Sequence, residues 1–170
     1  MRIERGKQAN LKELNEDLYL EANTQLYPTD KDATINVYGI LTTENNVIIN
    51  GSIECSEAFF GDNCHVKGTV ITGGIKTGSG FKAHHVEAGE QADIGSDSQV
   101  NKIDAVGDVT IGSNSRVRHA ISERGQIILA AGAVADVAEA AQGTKNSLAQ
   151  VRERSSSGRA RRQPFRGTSP

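Results

Sequence analysis

Few side chains in this 170-residue chain have the types and spacing that chemistry requires. His65, His84, His85 and His119 are the only histidines, and they are the natural candidates for metal ligation or proton transfer. Cys55 and Cys64 stand too far apart in sequence for a C-x-x-C pair, and two cysteines make no disulfide framework. Their number fits a reducing compartment. Asp93, Asp97, Asp104 and Asp108 sit among turn-forming residues and read as a solvated face rather than a catalytic pair. Gly73, Gly74, Gly78 and Gly80 form a glycine-rich patch, but no helix start with a Lys-Ser/Thr pair follows to cradle phosphate. Neither a G-x-S-x-G elbow nor an H-E-x-x-H pair occurs. The expectation is therefore no catalytic residue, no cofactor site and no metal site.

The elements that would position these residues repeat. Leu41, Ala58, Ile75, Ile94, Ile111 and Ile128 follow one another at intervals of 17, 17, 19, 17 and 17 residues. Six residues after each stands a second column, Val47, Cys64, Phe81, Val100, Val117 and Val134. Small or turn-forming residues lie between the two columns at a fixed phase, as in I-G-S-D-S-Q-V from Ile94 and I-G-S-N-S-R-V from Ile111. A unit this short, with two or three apolar segments and small corners, predicts one coil of a parallel β-helix. The fold class expected is all-β: a single-stranded parallel β-solenoid of about six coils over residues 35–142, with flexible tails on both sides. The 19-residue interval predicts a bulge around Lys82 to Gln91. On this phase the four histidines fall at four different offsets from the second column, which places them at separate surface positions.

Composition agrees with a thin core. Hydrophobic residues make up 36%, aromatics 4%, and there is no Trp; a core one side chain deep takes Ile, Val and Ala but has little room for large rings. No apolar run approaches the length of a membrane span, and no apolar segment follows Met1, so neither a spanning helix nor a secretory signal is expected. Within residues 1–34, Asn10 precedes Leu11, Leu14 and Leu18 at helical spacing, which predicts a short amphipathic helix capping the rod. At the other end, Ile127, Ile128, Leu129 and Val134 run into a small-residue stretch without a strongly polar cap, an invitation to polymerise.

The net charge of −2 conceals a division. Residues 35–142 carry 7 Lys/Arg against 13 Asp/Glu, whereas residues 143–170 carry 7 against 1. That basic segment interleaves Arg152, Arg154, Arg159, Arg161, Arg162 and Arg166 with Ser, Gly and Pro, and predicts a disordered tail that contacts an anionic surface. A membrane or an acidic protein suits it better than nucleic acid, because no aromatics interleave for base stacking.

The units I-G-S-D-S-Q-V and I-G-S-N-S-R-V, together with Val66-Lys-Gly-Thr-Val70, Gly51-Ser-Ile53 and the repeat period, resemble the bactofilins. These are bacterial cytoskeletal proteins with a small β-helix flanked by unstructured tails. The resemblance covers roughly three-fifths of the chain. It implies a cytoplasmic, non-enzymatic protein that polymerises end to end without nucleotide. Such a protein positions envelope-associated partners, contributes to cell shape and attaches in some members to the membrane. It would assign self-assembly to the terminal coils, here Leu41, Val47, Ile127, Ile128 and Val134. The I-G-x-x-S-x spacing also resembles the hexapeptide-repeat acyltransferases and their γ-carbonic-anhydrase relatives, which makes an enzyme the alternative reading. A phage or secretion-system spike or adaptor is a third.

Overall fold

A computed structural model describes residues 1–146 and the backbone of Gln150–Val151. Its eighteen strands are all paired in parallel, and no helix occurs among the described residues. The chain winds into a three-sided solenoid of about nine turns. At roughly 4.8 Å per turn this is a rod about 40 Å long. The first coil contributes Arg2–Ile3, Gln8–Leu11 and Glu13–Leu14, one strand to each face. Longer strands such as Ser52–Phe60 and His65–Thr77 run continuously round a corner.

Stacking by parallel pairing builds the core as columns. On the first face the inward column is Leu18, Leu41, Ala58, Ile75, Ala92, Val109, Ile127 and Thr144. Ala9, Leu26, Ile49, Val66, Ala83, Val100, Val117 and Ala135 form the column of the second face. The third face stacks Ile35, Ile53, Val70, Val86, Ile103, Ala120 and Ala138. Small and β-branched residues dominate because three faces close on a lumen one side chain deep. Two buried rings, Phe60 and Phe81, pack tilted at 44° with centroids 4.9 Å apart.

The corner between the first and second faces is the most regular part of the coil. Gly6, Asn23, Asn46, Asn63, Gly80, Asp97, Asn114 and Gly132 occupy its third position in successive coils, all with positive φ. Asn and Asp tolerate that left-handed geometry better than other side chains, and Gly does so freely. From Gly6 to Asn114 each such amide donates to a carbonyl of the next coil, for example Asn63 to Ser79 at 2.7 Å and Asp97 to Ser113 at 2.8 Å. Side chains extend the ladder. Asn45 Oδ1 accepts from the Asp62 amide and Asp62 Oδ1 from the Ser79 amide, each at 2.8 Å.

Several expectations are corrected. Nine coils are present rather than six, because residues 1–34 form two further coils instead of a helix and tail, and strands Thr144–Asn146 and Gln150–Val151 add a ninth within the segment expected to be a disordered tail. Leu11, Leu14 and Leu18 have helical spacing for a different reason. They are successive inward residues on the second, third and first faces, and crossing a corner separates such residues by three or four positions. The second coil was hidden because it carries six extra residues around Thr29–Ala33, so that Leu18 pairs with Leu41. No coil is lengthened by two. Ile75 pairs with Ala92, and Ile94 pairs with Ile111. The second column accordingly continues from Phe81 through Ser98, Ser115 and Ala133, all buried. A register shift does fall within the stretch expected to bulge, between Ala83 and His85, with the extra residue on the partner strand between Val66 and Thr69. Asn10 lies in a strand and caps nothing.

Candidate assembly surfaces

The two ends of the rod differ chemically. At the N-terminal end, each strand of the first coil pairs only with the second or third coil, leaving its outer edge without a partner among the described residues. Ala9, Leu11 and Leu14 pack against the core from that coil but remain partly exposed, since no further described coil covers them. This coil is held by charge. Arg2 Nε donates to Glu21 Oε1 at 2.7 Å and its guanidinium lies 5.1 Å from the Tyr19 ring centroid. Tyr19 in turn donates to Glu44 Oε1, and the Ala22 amide to Glu44 Oε2, both at 2.9 Å. The Arg5 amide and the Arg2 side chain hold Glu21 below the usual carboxylate range, and the Ala22 amide and Tyr19 do the same for Glu44. The phenol of Tyr19 is pushed up, first by that hydrogen bond to Glu44.

At the C-terminal end the ninth coil places polar residues in register with the inward residues of the first face. Thr144 follows Ile127, and Asn146 follows Leu129. Leu41 and Val47 belong to the third coil and are fully enclosed, with coils on both sides. Ile127 is buried beneath the ninth coil, while Ile128 and Val134 are outward-facing and half-buried in the eighth. The end surfaces are therefore made by other residues than those the sequence pointed to. Arg152, Arg154, Arg159, Arg161, Arg162 and Arg166 lie outside the described residues.

The chain matches no family model, no curated protein and no solved structure.

Among the described residues no group of three or more His, Cys, Asp and Glu is arranged to hold a metal. The histidines nevertheless gather. His85 pairs with Lys102 and Lys102 with His119 in one register column at the corner between the second and third faces. His84 stands beside them, its Nδ1 3.0 Å from Asn101 Nδ2, and His65 pairs with Lys82 one coil up. His85 bridges Asp104 at 2.7 Å and Glu87 at 3.4 Å, and Lys102 reaches Asp104 at 3.0 Å. Burial first, then the ammonium groups of Lys67 and Lys82, pull His65 below the ordinary imidazole value.

Both cysteines face the core, where Cys64 contacts Thr43 Oγ1 at 3.3 Å. Burial pushes the Cys55 thiol up to about 11. Thiolate is the reactive form, so both thiols are expected to resist an aromatic disulfide reagent at pH 8 and to react fully only in denaturant. Rapid stoichiometric labelling of the native rod would contradict the burial. Among the described residues the exposed large apolar side chains are few: Tyr38, Ile40 and Phe59 near the third and fourth coils, and Met1. Among the described residues no helix is long and apolar enough to cross a membrane.

Proposed function

We propose that the chain is a non-enzymatic structural rod that joins end to end into filaments and acts as a cytoplasmic scaffold, positioning partner proteins at the cell envelope. The observation that carries this reading is the N-terminal coil. It presents a parallel-strand edge that has no partner among the described residues, with the half-buried Ala9, Leu11 and Leu14 on the same surface. Unpaired edges template further strand pairing, and an apolar surface at the rod's end adds burial to that pairing. The regular coil supplies a stiff unit whose stability is local to each pair of neighbours. The basic segment, with Arg152, Arg154, Arg159, Arg161, Arg162 and Arg166, is the part that meets an anionic membrane or an acidic partner.

Electron microscopy of the purified full chain tests the reading. Filaments one rod wide are expected, and the double substitution Leu11→Asp, Leu14→Asp should reduce them to single short rods with a near-unchanged melting temperature. A wild-type protein that stays as single rods at every concentration, or filaments indifferent to the double substitution, would overturn it.

A further inference from the structure

The charges of the rod are segregated around its circumference. Of the seven Lys/Arg between residues 35 and 142, five stand on the second face or at its corner with the third: Lys67, Lys82, Lys102, Arg116 and Arg118. All four histidines share that strip. On coils four to seven the ridge comprises His65–Thr69, Lys82–His85, Gln99–Lys102 and Arg116–His119, and it carries no carboxylate. Lys67, Lys82 and Arg118 are exposed and form no ion pair among the described residues. Every coil supplies at least one cation, so positive charge recurs about every 4.8 Å along the axis.

The third face beside this ridge is concave and acidic: Glu87 and Asp104 stand along it within reach of the ridge's own His85 and Lys102, and Glu123 stands at its far border. A groove of about 480 Å³ opens there, with Glu87, Asp104 and Glu123 among its walls and Ile71, Ala88 and Val106 among its apolar lining. It exists because the fourth coil turns the corner at that border with only Gly73 and Gly74, whereas the coils after it use three or more residues. The groove therefore spans the same coils as the ridge, with its carboxylates at the same axial spacing.

We infer that a second copy of this chain docks laterally, its Lys67, Lys82 and Arg118 ridge seated in the groove at Glu87 and Glu123, with Asp104 held by the ridge of its own rod. Ridge and groove flank one face, so a sideways translation across that face brings the groove of one rod onto the ridge of the next. Such a contact is heterologous and does not close, and repetition produces a flat row of parallel rods. Because both ladders share the coil spacing, charges meet in register over several coils. At physiological salt the screening length is about 8 Å, so the facing edges attract while the acidic remainder of each rod is largely screened. This contact is separate from end-to-end joining and does not depend on it.

The test uses full-length protein carrying Leu11→Asp and Leu14→Asp, so that sedimentation equilibrium reads lateral association alone. Association is expected to weaken by roughly tenfold or more between 0.1 and 0.5 M salt. Ridge reversal (Lys67→Glu, Lys82→Glu, Arg118→Glu) and groove reversal (Glu87→Lys, Glu123→Lys) should each abolish self-association with an unchanged melting temperature. An equimolar mixture of the two reversed proteins should associate again, since each then offers the other an opposite charge. Failure of the mixture to associate would overturn the inference. So would loss of association on replacing the arginines at 152–166 with serine while ridge reversal has no effect, because the occupant of the groove would then be the basic segment.

Discussion

Replacing Gly95 with alanine is expected to destabilise the rod by about 3 kcal/mol, whereas the same change at Gly74 should cost less than about 0.5 kcal/mol. Gly95 opens the tight corner of the sixth coil and donates its amide to Thr77 Oγ1 at 2.9 Å. A Cβ there would press into the carbonyl of Gly78 in the coil beneath, far inside van der Waals contact, and would meet the Thr77 carbonyl oxygen at 2.9 Å. The obstacle is backbone locked into the neighbouring ladder, not the free end of a side chain. Relief therefore requires two coils to separate. Gly112 repeats the problem one coil further, against the backbone of Gly95 and Ser96. At Gly74 the nearest atom to an added Cβ is the Gln91 carbonyl oxygen at 3.9 Å, an ordinary contact. Thermal unfolding followed by circular dichroism should thus show a fall of roughly 6–12 °C for Gly95→Ala and almost none for Gly74→Ala. Equal effects at the two positions would mean that the tight corner does not limit how closely coils approach.

These glycines also explain what the sequence made legible. The period and the fold class were readable because every coil from the third to the sixth spends 17 residues between equivalent first-face positions, with β-branched residues facing inward. The phase was harder to read. Ala92 and Ile94 both face the core, as do Ser98 and Val100, and choosing the larger residue of each pair slides the alignment by two. That slide separated the histidines on paper. With the true column running through Cys64, Phe81, Ser98 and Ser115, His85 and His119 occupy the same offset and Lys102 falls between them. The first two coils left a weaker signal, because corner-crossing leucines imitate a helix and the long corner around Asp30 and Asp32 breaks the period. The end surfaces could not be located before those coils were counted. Serine in the true column was a further disguise. Ser98 and Ser115 are buried because their hydroxyls serve the ladder, with Ser98 Oγ accepting from the Phe81 amide at 3.2 Å and Ser115 Oγ from the Ser98 amide at 3.0 Å. A polar residue is acceptable inside when its hydrogen bonds are met there.

Removing one whole coil should leave a folded rod, while removing one residue fewer should not. Ile94 and Ile111 occupy equivalent positions in adjacent coils. Deleting residues 95–111 therefore joins Ile94 to Gly112 with the corner sequence intact and every later inward residue still inward. Stability in such an array is a sum over neighbouring coils, so the shortened protein should melt cooperatively within roughly 10 °C of the full chain. Deleting residues 95–110 instead leaves Ile111 as an extra residue next to Ile94. The corner cannot absorb it, because the spacing from first-face to second-face inward residue is the same in every coil, as from Ile94 to Val100 and from Ile111 to Val117. If Ile94 keeps its place, the residue with positive φ shifts onto a position that must be extended. If Ile111 takes that place instead, Ala92 and Ile94 exchange their buried face for solvent. The other corners do vary in length, the one after Ser122 using four residues before Ile127 where the one after Cys55 uses two before Ala58. A single glycine inserted between Glu123 and Arg124 is accordingly expected to be tolerated, with a cooperative transition preserved. Hydrogen exchange would then distinguish the three proteins. Protection should persist through the C-terminal coils in the coil deletion and the loose-corner insertion, and be lost beyond residue 94 when 16 residues are removed. Equal protection in all three would show that slack is distributed around the coil and not confined to two of its corners.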